Sequence, residues 1–349
     1  MTRPTRALID AQALRHNLNR ARQAAPNSKI MAVVKANAYG HGLVRVPHIL
    51  AQANAFAVAS FDEGVALRNA GVAHPVCLLE GFFDTAELEM LSHYRFMPVI
   101  HHESQLHELE GYREKVGLDV WLKVDTGMHR IGFAPEVAAQ VHKRLQGCKA
   151  VQRVRVLSHF ANADDTADPT TRRQMDRFTA LVDGWDLEYS LANSAAVLGW
   201  PQSHFDWVRP GIMLYGASPL IGKSAAELGL QPVMTFTTTL IAVNQQRKGE
   251  PVGYGGEWVC PEDMPVGVAA VGYGDGYPRH APSGTPVLVN GERSSLIGRV
   301  SMDMITVDLR SQPDAKVGDP VVLWGQGLPV DEIAQRAGTI GYELLAGMP

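Results

Sequence analysis

Eight short apolar runs, spread over about 190 residues with amphipathic stretches between most of them, constrain this chain more than any other feature. The runs are Ile30–Lys35, Ala55–Ser60, Val76–Leu79, Phe96–Ile100, Val120–Val124, Val154–His159, Glu188–Ala192 and Val208–Tyr215. Strands that are apolar along their whole length are covered on both faces, which is the condition of a parallel sheet. The stretches between them, such as Asp62–Ala70, Thr85–His93, Gln105–Lys115 and Pro135–Leu145, read as helices. Eight such units predict an α/β fold closed into a (β/α)8 TIM barrel.

After about Leu220 the pattern changes. Val233–Asn244 is Thr-rich and β-branched, and Val266–Tyr273, Thr285–Val289, Met304–Leu309 and Pro320–Trp324 are further short strands. Gly-rich turns separate them, and no long helix pattern returns before Val330–Ala337. A chain of 349 residues exceeds one average domain. The expected division is a barrel over residues 1–225 and a mostly β domain over 226–349, joined through Pro219–Gly229.

Composition narrows the function classes. Hydrophobic residues at 46% and charged residues at 19% belong to a globular chain, not a disordered one. The net charge is -4 and the basic residues are scattered, so no stripe for nucleic acid is expected. No apolar window is long enough to span a membrane. The start, MTRPTRALIDAQAL, lacks the apolar core of a signal peptide. Cys77, Cys148 and Cys260 are far apart and odd in number, matching neither a zinc spacing nor a disulfide framework. Buried free thiols and a cytoplasmic location are expected, with no metal.

Active sites of such barrels sit where the strands end, and several strand ends here are polar. The first run, IMAVVK, closes on Lys35 and leads into Ala-Asn-Ala-Tyr39-Gly-His-Gly. Burying an ammonium is costly. Lys35 therefore either snorkels to solvent or is a functional amine suited to imine chemistry with a carbonyl. Strand alternation puts Trp121, Lys123 and Asp125 on one face, so Lys123 either adds positive charge to the mouth or pairs with Asp125. His159 either satisfies a core hydrogen bond or faces a bound group. Asn193-Ser194-Ala-Ala starts a helix, as an ordinary cap or as a phosphate site. Arg209-Pro-Gly211-Ile212 offers backbone N–H groups to an anion. Tyr254 stands in a Gly-rich turn, where tyrosines are usually surface residues. Nucleotide GxGxxG, P-loop and HExxH signatures are missing.

The segment AVVKANAYGHG closely resembles the pyridoxal-phosphate attachment segment of alanine racemases. The likeness continues in order through LKVDTGMHRIG, SHFANAD, ANSAA, VRPGIMLYG, PVGYGGEW, VGYGDGYPR and IGRVSMDM, covering essentially the whole chain. That family folds as a (β/α)8 barrel followed by a β-rich domain, and its members are usually homodimers. The resemblance implies that the strand near Arg6–Asp10 packs with the C-terminal domain. It also implies the cofactor, pyridoxal 5'-phosphate, and the substrate, alanine.

By the same resemblance, Lys35 holds the cofactor and is one of two catalytic bases. Tyr254 from the partner subunit is the other. Tyr39, Asn193, Ser194, Gly211 and Ile212 bind the cofactor, mostly at its phosphate. His159 lies against the pyridine ring, and Arg209 donates to the pyridine nitrogen. Lys123 is carbamylated and holds Arg130, which contacts the substrate carboxylate. Met302 offers a backbone contact to substrate. Asp164, Tyr273, Arg279 and Arg299 line an access corridor. Two rivals stay open: another enzyme of this framework, such as a broader-specificity racemase or a basic amino-acid decarboxylase, and a non-catalytic pyridoxal-phosphate-binding protein. Retention of Lys123 favours the alanine enzyme. The second domain, with PVGYGGEW and IGRVSMDM, argues against the binding protein.

Overall fold

The computed structural model describes residues 3–349. The chain opens with strand β1 (Arg6–Ile9). Asp10 then ends the strand by capping the helix Ala11–Ala24, its carboxylate accepting from the amides of Gln12 at 2.7 Å and Ala13 at 3.1 Å. Such a cap contributes about 1 kcal/mol. The helix buries Ala13, Leu14, Leu18 and Ala21.

Eight parallel strands close into a barrel in sequence order. They are β2 (Lys29–Val33), β3 (Ala55–Val58), β4 (Val76–Leu78), β5 (Phe96–Ile100), β6 (Leu118–Lys123), β7 (Val151–Leu157), β8 (Tyr189–Asn193) and β9 (Trp207–Arg209). Closure is made by β9 returning to β2, with Lys29 opposite Trp207 and Ile30 opposite Val208. The predicted architecture is therefore present, and β3, β4, β5 and β9 are buried along their whole length.

Two strand expectations need correction. The run Val208–Tyr215 is not one strand: β9 stops at Arg209, and Ile212–Tyr215 forms a 3-10 turn. Pro210 has no N–H to continue a ladder. The run stays apolar because the turn is itself fully buried. Likewise β2 ends at Val33, so Lys35 opens the turn after the strand instead of closing the strand. The helix expected at Gln105–Lys115 is Glu103–Gly111, capped by the His102 ring on the Ser104 amide.

At the barrel floor, Arg155 is nearly buried and holds three groups together. It donates to Glu188 at 2.5 Å and to Asp119 at 3.1 Å, and it lies 5.6 Å from the centre of the Trp121 ring. Lys29 meets Glu188 from the other side at 2.5 Å. Charge pairing at this end serves stability and not chemistry, because the reactive end of such a barrel is the other one.

The remainder is antiparallel. It comprises β10 (Met234–Gln246), β11 (Pro251–Val252), β12 (Trp258–Val259), β13 (Met264–Ala269), β14 (Pro286–Val289), β15 (Glu292–Ile297), β16 (Ile305–Asp308) and β17 (Pro320–Trp324). The pairings β10–β13–β16–β15–β14–β17 return to β10, while β11 and β12 form a separate hairpin. Strand β1 pairs with β10, Arg6 opposite Thr237 and Ile9 opposite Met234. The helices Val330–Ala337 and Gly341–Ala346 finish the chain. The last one packs on the Lys35–Gly40 segment, so closely that a Cβ on Gly40 would meet the Leu345 carbonyl oxygen at 2.0 Å. All three cysteines are buried and unpaired. No helix among the described residues is long and apolar enough to cross a membrane.

Candidate active site at the barrel mouth

After β2 the backbone turns left-handed. Ala36, Asn37, Ala38 and Tyr39 all have φ between 52° and 53° and ψ between 42° and 57°. For residues bearing a Cβ this conformation costs roughly 1–2 kcal/mol each. Four in succession form one left-handed turn, and such strain persists only where its surroundings over-determine it. Asn37 Oδ1 accepts from the Leu43 amide at 2.9 Å, and the His41 ring contacts the Tyr39 carbonyl at 2.7 Å. The turn leaves Lys35 and Tyr39 lining the same cavity. Tyr39 stacks on Tyr215, with centroids 4.8 Å apart, and Tyr215 donates to the Val33 carbonyl at 2.9 Å.

The cavity has a volume of about 670 Å³ and lies at the strand ends. Lys35, Tyr39, Lys123, Arg130, His159, Asn193, Ser194, Arg209, Gly211 and Ile212 all line it. Four of these have basic side chains, and Glu80 is the only carboxylate of the lining among the described residues. Its positive character suits an anionic ligand.

Asn193 caps the helix Ser194–Gly199, its Oδ1 accepting from Ala196 at 3.0 Å. Ser194 Oγ accepts from the Gly211 amide at 2.7 Å, tying β8 to β9. A Cβ on Gly211 would stand 2.6 Å from the Tyr39 hydroxyl. Only glycine lets that hydroxyl, Ser194 and the backbone converge. Such a cradle, with the cations around it, fits a phosphate, and Lys35 in the same cavity fits the carbonyl of pyridoxal phosphate.

Arg209 is buried behind the cavity. It donates to Ser190 Oγ at 2.5 Å, to the Ser158 carbonyl at 2.6 Å and to His159 Nδ1 at 3.3 Å. Burial lowers its pKa to about 10, so it stays charged at neutral pH. Burial, followed by the charges of Arg209, Lys123, Arg130 and Lys35, holds His159 well below its ordinary value. Its ring is therefore neutral, with Nδ1 as the acceptor. Lys123 is also buried. Burial first, then Arg209 and Arg130, lower its pKa to about 7, against a weaker opposing pull from Asp125. The Lys123–Asp125 ion pair does not form: the Asp125 carboxylate accepts from the amides of Gly127, Met128 and His129 and faces the His129 ring.

The remaining expected residues lie elsewhere. Tyr254 is 71% exposed and Met302 is 56% exposed, and neither lines the cavity. Tyr273 and Arg279 are also exposed. These turns pack together: the amides of Tyr273 and Gly274 donate to the carbonyls of Ser301 and Met302, and Arg299 pairs with Glu257. Asp164 is exposed, and its negative charge is felt at Tyr342. The sequence reading missed Leu79, Glu80, His101, Tyr342 and Ala346 in the lining. Leu79 closes the third apolar run, and Glu80 and His101 follow the third and fourth, so the strand-end rule would have found them. No local signal brings Tyr342 and Ala346 in, because they reach the mouth from the second domain.

Comparison with known proteins agrees with this geometry. The sequence model of the alanine racemase N-terminal domain matches residues 9–219, and that of the C-terminal domain matches residues 233–349. An alanine racemase of Nitrosococcus oceani is 56% identical over 97% of this chain and 95% of its own length. The biosynthetic alanine racemase of Escherichia coli K12 is 53% identical over the same shares. The crystal structure of the biosynthetic alanine racemase from Pseudomonas aeruginosa superposes with a TM-score of 0.97 at 46% identity, covering 100% of this chain and 98% of that one. This chain belongs to the alanine racemase family, isomerases that depend on pyridoxal 5'-phosphate.

Proposed function

We propose that the chain racemises alanine with Lys35 and Tyr254 as bases on opposite faces of the substrate, Tyr254 coming from a second copy. The observation that carries this reading is the convergence of Lys35, Lys123, Arg130 and Arg209 on one cavity that also holds Tyr39, Ser194 and Gly211. When bound, pyridoxal phosphate supplies an electron sink that makes the α-proton of alanine acidic. Lys35 Nζ would hold the cofactor at its carbonyl until the substrate amine displaces it, and the freed amine would take or return a proton on one face. The Tyr254 hydroxyl does so on the other, and two opposed bases spare the substrate a large movement. Tyr39, Asn193, Ser194, Gly211 and Ile212 hold the phosphate end, and the neutral His159 ring packs against the pyridine.

Arg209 donates to the pyridine nitrogen. An arginine cannot readily yield a proton, so that nitrogen stays unprotonated. Lys123, an uncharged amine above pH about 7, adds carbon dioxide and releases a proton, and the resulting carbamate holds Arg130 toward the substrate carboxylate. Met302 contributes its backbone at the substrate.

The exposure of Tyr254 supports a shared site, since a base 71% open to water has no substrate to act on within its own chain. In this reading residues 1–225 bind the cofactor and residues 226–349 complete the neighbour's site. Asp164, Tyr273, Arg279 and Arg299 form the access corridor where two copies meet. The setting is the cytoplasm, and the D-alanine is made for peptidoglycan or consumed. The experiment is chiral analysis of L-alanine incubated in D2O with pyridoxal phosphate and the protein, beside K35A and Y254F. D-alanine deuterated at the α-carbon, lost in both variants, is the expected result. Cofactor binding without D-alanine would sink the reading.

A further inference from the structure

Glu63 lies outside the cavity lining, yet its carboxylate reaches the turn that carries Lys35 and Tyr39. We infer that Glu63 is a positioning residue that sets the left-handed Lys35–Tyr39 turn for cofactor capture. The inference rests on the reading of Lys35 as the cofactor's anchor.

The geometry begins with the helix Phe61–Asn69, capped by Ser60, whose Oγ accepts from the Glu63 amide at 3.5 Å. Ser60 and Glu63 have the spacing of a capping box, in which the glutamate reaches back to the amide of its own cap residue. Here it does not. Glu63 Oε2 accepts from the Ala59 amide at 2.8 Å, and Oε1 crosses to the Ala36 amide at 2.7 Å. The first amides of a helical turn have no acceptor within it, and this holds for either hand. Glu63 therefore supplies the missing acceptor where the left-handed turn begins, and its negative charge suits that end. The same carboxylate binds two strand ends together, because Ala36 follows β2 and Ala59 follows β3. The Ala59 carbonyl in turn accepts from the amide of Glu80, a cavity residue, at 3.2 Å. The side chain thus joins the ends of β2 and β3, and the Ala59–Glu80 backbone bond carries the connection on to the end of β4.

A carboxylate is required because both partners are donors. A glutamine in its place accepts one amide and turns its own NH2 toward the other. The other supports of the turn, Asn37 on Leu43, the His41 ring on the Tyr39 carbonyl, Tyr39 on Tyr215 and Gly40 against Leu345, all act after Ala36.

The test compares wild type, E63Q and E63A as full chains stripped of cofactor and titrated with pyridoxal phosphate. Three quantities are read: the dissociation constant from the visible absorption band, the fraction of Lys35 labelled after borohydride reduction, and the melting temperature with and without cofactor. E63Q should raise the dissociation constant about tenfold, the change expected when a hydrogen bond to a charged group is lost. It should lower the labelled fraction and shrink the thermal gain from cofactor, beyond the small fall in cofactor-free melting temperature that the lost folded-state hydrogen bond causes. E63A should do so more strongly, and if it does not fold, E63Q decides. A wild-type dissociation constant and band in E63Q overturn the inference. So does a fall in cofactor-free stability with binding intact, which marks a merely structural carboxylate. If wild type itself leaves Lys35 unlabelled, the Lys35 assignment fails first and this inference falls with it.

Discussion

Gly211 and Tyr39 occupy the same corner of the cavity: a Cβ on Gly211 would stand 2.6 Å from the Tyr39 hydroxyl and 3.3 Å from its ring carbon. The ring has little room to retreat, because it is buried and stacked on Tyr215. G211A should therefore displace the hydroxyl and raise the dissociation constant for pyridoxal phosphate by about tenfold. Y39F makes room for the new methyl, so the double variant should lose less than the sum of the two single losses. Strict additivity in a double-mutant cycle would contradict the contact.

Lys123 should carry a carbamate. Its pKa of about 7 means that the nucleophilic free amine grows as pH rises through 7 and is scarce near pH 5.5. Protein equilibrated with 13C-labelled carbon dioxide should show a carbamate carbon resonance that follows this rise at fixed dissolved gas. K123R, whose guanidinium does not add carbon dioxide, should lack it. A resonance of equal strength in K123R would assign the signal elsewhere.

Two inactive variants should restore one another. If each site takes Lys35 from one copy and Tyr254 from the other, a mixed dimer of K35A and Y254F holds one intact site and one doubly defective site. Random mixing makes half the dimers mixed, so activity should recover to about a quarter of wild type. No recovery after verified subunit exchange would place both bases in one chain.

The barrel floor makes a pH prediction. Burial raises the Glu188 pKa, but the hydrogen bonds and charges of Lys29 and Arg155 outweigh it and bring it to about 2. A depressed carboxylate adds stability that is complete above its unfolded value and is lost as pH falls through about 2. E188Q should cost about 1–2 kcal/mol at pH 7, below the range for a fully buried pair, because Glu188 is partly open to water and Asp119 still faces Arg155. The gap between wild type and E188Q should close toward pH 2 in denaturant titrations. A gap that does not change with pH would mean that packing, and not charge, accounts for the loss.

Much of this protein is decided locally. Runs such as Phe96–Ile100 are apolar throughout because β5 is buried along its length, so the eight-strand pattern shows in the sequence itself. The polar residues at or just past the strand ends, Lys123, His159, Asn193 and Arg209, could be read as a mouth because a barrel puts every strand end on one rim. The same locality explains where the reading slipped. Ile212–Tyr215 is as buried as a strand while turning as a 3-10 helix, and apolar character does not distinguish the two.

Tertiary structure decided the rest. The sequence names Lys35, but not that four left-handed residues follow it, since in Ala-Asn-Ala-Tyr only Asn37 readily tolerates that hand, and then as a single residue. The turn is imposed from a distance, by Glu63 at its start and by the backbone of Leu345 against Gly40 at its end. Tyr342 and Ala346 enter the lining only because the second domain folds back over the mouth. The depressed pKa of Lys123 likewise comes from burial beside Arg209 and Arg130, neighbours brought near by barrel closure. Hydrophobic periodicity is written residue by residue and fixes the frame. Charge placement and backbone strain depend on contacts between residues far apart in sequence, and those exist only once the chain has folded.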